Sequence, residues 1–351
     1  MRVFAAAAAL TTPLVAEDYL AYVNPLWARR QPRGRIDAVM PETADAATLW
    51  LRPGAGFSRH VPGQYVRVGV DVEGVRHWRT YSVTSTPGRR DGRIAITVKA
   101  IPGGTVSEHL VRRAHRGEYV RLGPPAGEFV LPAAIGGPLL FVTAGSGITP
   151  VMGFLRALGA AGPLPDVAHV HLAPSGAEVI FGAELHRLAR RHSGFALREH
   201  HDDVHGRFDP VVLDALVPDW RAREAWACGP AGLLDALTER YEREDVLARL
   251  HLERFRPVVP AAGMQAEGGR VRFLASGREV DADGATPLLV AGERAGALLP
   301  HGCRMGICHT CVGALRSGAV RDLRTGELHD TPGEAVRTCV SAAAGPVDID
   351  L

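Results

Sequence analysis

The chain has 351 residues, of which 46% are hydrophobic and 22% are charged, and its formal net charge is +2. This length fits two or three domains, and this composition excludes an intrinsically disordered chain. A net charge so close to zero gives no overall field that would attract nucleic acid, so we expect no nucleic-acid partner.

The first segment, residues 1–33, is predicted to be a helical lead-in that is broken by Pro25 and Pro32. An apolar run near its start is marginal as an export signal and too short to cross a bilayer. We therefore expect a cytoplasmic protein. In that reducing compartment the five cysteines favour a metal or redox role over disulfides.

Residues 34–133 are predicted to form an antiparallel β-barrel domain. Short runs with alternating apolar residues, such as 48–51, 64–68 and 94–98, are separated by turns that contain glycine and proline. This spacing is typical of a small barrel of antiparallel strands.

Two motifs in this domain have the chemistry of a nucleotide-binding site. Residues 79–82 end a predicted strand and offer a cation for phosphate, an aromatic face and a small hydroxyl. Residues 103–107 precede a helix, where backbone N–H groups and a hydroxyl form an anion site suited to a pyrophosphate. Each motif alone also fits an ordinary strand or a capped helix. The residues predicted to contact this nucleotide are Arg79, Thr80, Tyr81, Ser82, Val98, Lys99, Gly103, Gly104, Thr105, Val106 and Ser107.

Residues 134–253 are predicted to form an α/β domain with a parallel sheet. Apolar strands at 139–143, 167–172 and 226–228 alternate with helices at 151–158, 181–191 and 231–243. Strands that alternate with helices indicate a parallel sheet that is covered on both faces.

The predicted nicotinamide-nucleotide site combines a loop after the first of these strands with the end of a later strand. The loop contains Gly145, Ser146, Gly147, Thr149 and Pro150, and it opens a helix, where a dinucleotide pyrophosphate can bind. The later strand ends in Cys228, Gly229 and Pro230, although Cys228 could simply be a small buried residue. Ser175 could meet a 2′-phosphate and Glu178 would disfavour one; on balance we expect NADPH rather than NADH.

A linker at 254–269 precedes a third predicted domain, residues 270–351, which contains four of the five cysteines. Cys303, Cys308, Cys311 and Cys339 have the C-x4-C-x2-C…C spacing of a plant-type [2Fe–2S] cluster. Gly302 and Gly306 let the backbone point N–H donors at sulfur. A zinc site is the alternative, but zinc sites usually show paired C-x2-C knuckles.

These motifs together resemble the ferredoxin–NADP reductase superfamily. The resemblance implies that the nucleotide at residues 79–107 is a flavin, and the pyrophosphate site favours FAD over FMN. It further implies that Tyr81 packs on the isoalloxazine, Ser82 lies near its N5 atom, and Arg79 neutralises phosphate. It also places Cys228 beside the nicotinamide, so that Tyr81, Ser82 and Cys228 are the predicted catalytic residues. The implied fold is a flavin barrel, an α/β nicotinamide domain and a C-terminal β-grasp (α+β) ferredoxin domain. Hydride would pass from NAD(P)H to FAD, and single electrons would pass to the cluster.

The domain order resembles that of reductase components of oxygenases and desaturases. The run 301–311 and the lead-in segments 10–14 and 24–27 are most similar to reductases of actinobacterial fatty-acyl desaturases. This implies a monomer that serves a membrane-bound desaturase and lies at the inner face of the membrane through that partner. The alternatives are a ring-hydroxylating dioxygenase or a monooxygenase as partner, a zinc-stabilised flavin reductase, and a cluster-based redox sensor.

Four arginines surround the cluster loop in the sequence, namely Arg304, Arg316, Arg321 and Arg324. They are consistent with a basic docking face for an acidic partner or an anionic membrane surface. A solvated surface in an arginine-rich protein explains them equally well.

Overall fold

The computed structural model describes residues 21–29, 32–72, 74–255, 268–301, 306, 310–323 and 325–351. The chain divides into two compact units, Met1–Arg254 and Phe255–Leu351. Most of the predicted lead-in at 1–33 and most of the predicted linker at 254–269 lie outside the described residues. The described part of the lead-in contains a 3-10 turn, Pro25–Trp27, which begins where the Asn24 side chain accepts the Leu26 N–H at 3.0 Å.

Six antiparallel strands of the first unit form a barrel around one apolar interior. They are β1 (Arg33–Thr43), β2 (Ala46–Pro53), β3 (Tyr65–Val72), β4 (Val75–Ser82), β5 (Ile94–Lys99) and β6 (Tyr119–Leu122). Their hydrogen-bonded order is β4-β3-β6-β1-β2-β5, and a bridge between Val83 and Ile96 joins the two ends of the sheet. Helix α1 (Thr105–Arg112) buries Val106 and Leu110 in the barrel core.

Five parallel strands form the second layer of this unit, covered by helices because both faces of the sheet are apolar. The strands are β7 (Leu139–Ala144), β8 (Val167–Ala173), β9 (Phe195–His201), β10 (Glu224–Cys228) and β11 (Leu250–Glu253). The helices are α2 (Ile148–Ala161), α3 (Gly182–Arg191), α4 (Asp202–His205), α5 (Leu213–Leu216) and α6 (Ala231–Arg243).

The order of these strands, β11-β10-β7-β8-β9, places β7 between β10 and β8. The chain runs from β7 to β8 and β9 on one side and later returns to β10 and β11 on the other. Such a reversal opens a crevice at the carboxyl ends of the strands, where open α/β sheets bind their ligands. The crevice therefore lies beside the loops that follow β7 and β10.

Helix α2 fastens the parallel sheet to the barrel. Arg156 on this helix donates to the Thr84 carbonyl at 2.9 Å, and it donates two further hydrogen bonds to the Glu184 carboxylate at 2.9 and 2.6 Å. Its guanidinium also lies over the Phe181 ring. A bidentate arginine–carboxylate pair is directional, so it fixes the orientation of α2 as well as stabilising the contact.

The second unit consists of two small sheets packed around a short helix. The strands are β12 (Gly269–Phe273), β13 (Arg278–Ala282), β14 (Val312–Ser317), β15 (Val320–Asp322), β16 (Leu328–His329), β17 (Ala335–Arg337), β18 (Ser341–Ala343) and β19 (Val347–Asp350). The larger sheet has the order β13-β12-β19-β14-β17 and the smaller one β16-β15-β18. Helix α7 (Leu288–Arg294) buries Leu288 and Leu289 in a core that also contains Cys311 and Cys339.

The fold class predicted from the sequence is confirmed. The first unit joins an antiparallel barrel to a parallel α/β sheet, and the second unit is an α+β domain with a mixed sheet and one covering helix. Within the described ranges, no helix combines the length and the apolar character that a membrane span requires.

Candidate functional site

The end of strand β4 carries the first predicted flavin motif. Ser82 is only 4% exposed, and its hydroxyl oxygen is buried without a hydrogen-bond partner. An unpaired buried hydroxyl costs roughly 1–3 kcal/mol, so such a group usually meets a ligand or water. The polar edge of an isoalloxazine ring would supply the missing partner. The orphaned Ser82 hydroxyl therefore fits the predicted flavin.

The neighbouring residues of the motif alternate between the two faces of β4. Tyr81 lies opposite Val66 and packs on the barrel core, while Thr80 lies opposite Arg67 and so faces the other side. Burial raises the pKa of Tyr81 above its ordinary value, so the phenol stays neutral. Arg79 shares the face of Tyr81 and donates to the Trp78 carbonyl at 2.8 Å. This face offers the ring and the cation that a flavin nucleotide needs.

The second flavin motif is a tight loop that leads into helix α1. The Ser107 hydroxyl accepts the Ile101 N–H at 3.1 Å and donates to the Gly104 carbonyl at 3.3 Å. This hydroxyl therefore shapes the loop, and the remaining donors for a pyrophosphate are the free backbone N–H groups at the start of the helix, including those of Thr105 and Val106. Gly103 has φ +73°, which favours glycine in the turn.

Strand β5 places the other two predicted flavin residues. The Val98 side chain is buried in the barrel core, so only its backbone can face a ligand. The Lys99 ammonium lies 3.1 Å from an Asp45 oxygen and 3.8 Å from a Glu178 oxygen. Two carboxylates already balance its charge, and a phosphate contact by Lys99 stays a prediction.

The loop after β7 meets the end of β10 at the crevice. A Cβ atom on Gly147 would lie 2.1 Å from the Cys228 carbonyl oxygen, so only glycine allows this approach. The Thr149 hydroxyl donates to the Ser146 carbonyl at 3.0 Å and so closes the loop at the start of α2. The structure thus brings the two predicted nicotinamide motifs together. Their described residues at the crevice are Gly145, Ser146, Gly147, Thr149, Pro150, Cys228, Gly229 and Pro230.

Ser175, the predicted 2′-phosphate contact, follows the end of β8. Its hydroxyl donates to Glu178 Oε1 at 3.3 Å, and the other carboxylate oxygen of Glu178 faces Lys99 at 3.8 Å. The charge of Glu178 is therefore partly balanced from the barrel side.

A carboxyl group that the sequence analysis missed lies beside Cys228. Strand β11 pairs in register with β10, so Glu253 is the direct neighbour of Cys228. One carboxylate oxygen of Glu253 is buried without a hydrogen-bond partner, and burial raises the pKa of Glu253 to about 8. Burial also raises the pKa of the Cys228 thiol well above its ordinary value. One feature of the sequence could have revealed this carboxyl group. Glu253 is an acidic residue at the end of a strand, and the strand before it in the chain order, β10, ends in the predicted nicotinamide motif.

The described part of the cluster site lies in the core of the second unit. Cys311 and Cys339 are nearly inaccessible and form no disulfide. The Gly306 N–H donates to Cys339 Sγ at 3.2 Å, and Thr338 donates from both its hydroxyl and its N–H to the Cys311 carbonyl. Buried thiols with a backbone N–H donor fit thiolate ligation of an iron–sulfur cluster. Cys303, Cys308 and Gly302 lie outside the described residues.

The arginines around the cluster loop are partly engaged within the second unit. Arg316 pairs with the Asp350 carboxylate, and Arg321 donates to the Gly326 carbonyl at 2.9 Å. Arg304 and Arg324 lie outside the described residues. The hypothesis of a basic docking face is weakened at Arg316, because an internal carboxylate balances that charge.

The buried Glu253 carboxyl makes the stability of the protein depend on pH. Its pKa in the folded chain is about 8 and its ordinary value is 4.5. The folded state therefore binds the extra proton, and the free energy of unfolding falls as pH rises from about 4.5 to 8. We expect Glu253→Gln to remove this fall, so that the variant is more stable than wild type at pH 8.5.

Urea unfolding of both proteins at several pH values measures this difference. Glu239→Gln is a matched control, because Glu239 is exposed on α6 and should leave the pH slope of the wild type intact. Parallel stability curves for wild type and Glu253→Gln would contradict the assignment.

Comparisons with known proteins support the predicted FAD-binding and [2Fe–2S] domains. The family model described as "Oxidoreductase FAD-binding domain" matches residues 53–131, and the model described as "2Fe-2S iron-sulfur cluster binding domain" matches residues 272–344. The chain is 49% identical to an NADPH oxidoreductase of Mycobacterium tuberculosis, over 98% of this chain and 91% of that protein.

A second relative and a solved structure extend the comparison. The chain is 30% identical to a stachydrine N-demethylase reductase subunit of Rhizobium meliloti, over 83% of this chain and 87% of that protein. The structure of phthalate dioxygenase reductase matches with a TM-score of 0.59 and 25% identity, and the match covers 91% of this chain and 97% of that one. The chain therefore belongs to the family of FAD-dependent oxidoreductases with a C-terminal [2Fe–2S] domain, which includes reductase components of oxygenase systems.

Proposed function

We propose that the chain takes a hydride from NADPH and delivers single electrons through its C-terminal cluster to a terminal oxygenase, with a membrane-bound fatty-acyl desaturase as the first candidate. The observation that carries the reductase assignment is the contact between Gly147 and Cys228, because it brings two nucleotide-binding motifs together at one crevice. The nearest rival function is a reductase for a ring-hydroxylating dioxygenase or a monooxygenase.

Each predicted residue has a physical task in this proposal. Arg79 holds phosphate, Tyr81 covers the flavin ring, and Ser82 offers its orphaned hydroxyl to the polar edge of the ring. Cys228 is the neutral, buried thiol against which the nicotinamide packs. FAD and the cluster, when bound, supply the conversion of a two-electron donor into one-electron steps.

In the second unit, four cysteines are proposed to hold the cluster, namely Cys303, Cys308, Cys311 and Cys339. The Gly306 N–H, which donates to Cys339 Sγ, would stabilise the extra negative charge of the reduced cluster. The ligand role of the first two cysteines rests on their spacing in the sequence.

The choice of NADPH rests on the surroundings of Ser175. Its hydroxyl can turn to a 2′-phosphate at the cost of one weak bond to Glu178, and Lys99 reduces the repulsion from that carboxylate. A relative with 49% identity is named an NADPH oxidoreductase, which supports the same choice.

The variant Ser175→Asp tests the coenzyme. A carboxylate close to the 2′-phosphate should lower kcat/KM for NADPH by about tenfold or more, since like charges a few ångströms apart near a surface repel by roughly 1–4 kcal/mol. The value of kcat/KM for NADH on the same variant is the control, and it should change little. A wild type that prefers NADH, or an equal loss with both coenzymes, would overturn the NADPH assignment.

The choice of a desaturase rests on the resemblance of the cluster loop and the lead-in to desaturase reductases. The stachydrine N-demethylase reductase subunit and phthalate dioxygenase reductase, which match over most of the chain, instead support the oxygenase alternatives. A monomer at the inner face of the membrane, held there by its partner, is part of the desaturase proposal.

Reconstitution identifies the acceptor. The purified holoprotein with NADPH is combined in turn with a fatty-acyl desaturase in liposomes, a ring-hydroxylating dioxygenase and a monooxygenase, and the product of each is measured. We expect desaturation, and we expect Cys339→Ser to abolish it while ferricyanide is still reduced, because that acceptor can draw electrons directly from the flavin.

The other outcomes of the reconstitution decide between the rivals. Turnover only with the dioxygenase or the monooxygenase would replace the desaturase by that partner. No turnover with any acceptor, in a protein whose cluster still changes redox state, would favour a redox sensor. Zinc in place of iron would favour a flavin reductase that has no further electron carrier.

A further inference from the structure

A row of polar side chains crosses the parallel sheet at one level. In-register pairing places Glu253 of β11 next to Cys228 of β10, Cys228 next to Thr143 of β7, Thr143 next to His171 of β8, and His171 next to Glu199 of β9. In-register neighbours of a parallel sheet point to the same face. Buried parallel strands are normally apolar, so five consecutive polar positions need an explanation.

One hydrogen bond joins two members of this row, Thr143 and His171, and a second one joins Thr143 to His169 beside the row. Thr143 Oγ1 lies 2.7 Å from His171 Nδ1 and 2.8 Å from His169 Nε2, and all three residues are 0% exposed. Burial lowers the pKa of His171 to about 3 and lowers the pKa of His169 well below its ordinary value, so both rings are neutral. A threonine hydroxyl has one proton, so it donates to one ring and accepts from the other.

The row reaches solvent on the side of β9. Glu199 Oε2 lies 3.1 Å from His186 Nε2 and 3.8 Å from His201 Nε2, and the His186 side chain is 51% exposed. Three buried atoms around this point have no hydrogen-bond partner, namely His171 Nε2, Glu199 Oε1 and His201 Nε2. Buried polar atoms that lack partners are the usual neighbours of ordered water. A water-bridged path from His171 to the surface is therefore consistent with the geometry.

The same side chains are not arranged as a metal site. Across the described ranges, no three side chains of His, Cys, Asp or Glu are placed to hold one metal ion. What the row offers instead is a series of groups that can each accept one proton and donate another: a carboxyl, a thiol, a hydroxyl, an imidazole and a second carboxylate.

We propose that the row Glu253–Cys228–Thr143–His171–Glu199 is the route by which the reductase releases a proton. The proposal rests on the reductase function. Oxidation of a hydride yields two electrons and one proton: NADPH and two one-electron acceptors would give NADP⁺, H⁺ and two reduced acceptors. The electrons leave through the second unit, and the proton leaves from the crevice through the sheet.

Each group in the row ends the transfer with the same number of protons with which it began. Glu253, which burial keeps protonated, takes the new proton on one carboxyl oxygen and gives its own away from the other, and the Cys228 thiol and the Thr143 hydroxyl each accept one proton and give one away. His171 gains a proton at Nδ1 and loses one from Nε2, and Glu199 passes the proton to His186 or to water. His169 is a branch, because its in-register neighbour on β9 is the apolar Leu197, whereas that of His171 is Glu199.

The branch provides a matched control for the row. His169 and His171 lie on the same strand and face, are equally buried, and each contacts Thr143. His171→Phe interrupts the row, whereas His169→Phe removes only the branch. Thermal unfolding of the two variants checks that any loss of stability is similar.

Proton release is measured by stopped flow with a pH-indicator dye in weak buffer, after the holoprotein is mixed with NADPH and a one-electron acceptor. We expect His171→Phe to slow proton appearance by at least about tenfold, since positioned proton transfer contributes roughly 10²–10⁴-fold. We expect His169→Phe to stay close to wild type. Equal rates in the two variants would overturn the proposal, whereas a reductase that fails to oxidise NADPH would instead contradict the proposed function.

A second measurement needs no turnover and no variant. In ¹⁵N NMR of the resting holoprotein we expect both histidines to be neutral with the proton on Nε2, because His171 Nδ1 accepts from Thr143 and His169 Nε2 donates to it. The Nε2–H of His171 should exchange with D2O much faster than that of His169. Equal protection of the two protons, or the opposite tautomer at His171, would contradict the route.

Discussion

The close contact between Gly147 and the Cys228 carbonyl is the constraint on which the site of the first unit depends. Any side chain at 147 would overlap that oxygen, so the loop after β7 can meet the end of β10 only through glycine. The loop opens helix α2, and the same helix carries Arg156, which donates to the Thr84 carbonyl two residues after Ser82. One element therefore joins the nicotinamide loop to the strand that carries the flavin motif.

The crevice edge of the sheet is polar, but burial keeps most of its ionisable groups uncharged. The pKa of Glu253 and that of Cys228 are raised and those of His169 and His171 are lowered, in each case because burial disfavours the charged form. A neutral edge can accept and pass a proton without leaving a buried charge, which would be costly. The proposed hydride chemistry at this edge and the proposed proton release through the sheet therefore have the same physical basis.

Features that depend on local spacing could be predicted from the sequence. The cysteine spacing, the alternation of strands and helices, and the loops at strand ends gave the fold class and the meeting of Gly147 with Cys228. Contacts that depend on the register between strands could not be predicted from the sequence. Glu253, for example, lies beside Cys228 only because β11 pairs with β10. The partners of Lys99, Ser107 and Arg316 were likewise set by loops and strand pairs that motif spacing does not encode.

The central claim is that electrons pass from NADPH through the flavin to the cluster of the same chain. Anaerobic mixing of the holoprotein with excess NADPH, followed by absorption and EPR spectroscopy of one sample, tests it most directly. We expect loss of the flavin absorption together with the EPR signal of a reduced [2Fe–2S] cluster, and Cys339→Ser should keep the first and lose the second. Reduction of the flavin without any cluster signal in an iron-loaded wild-type protein would contradict it.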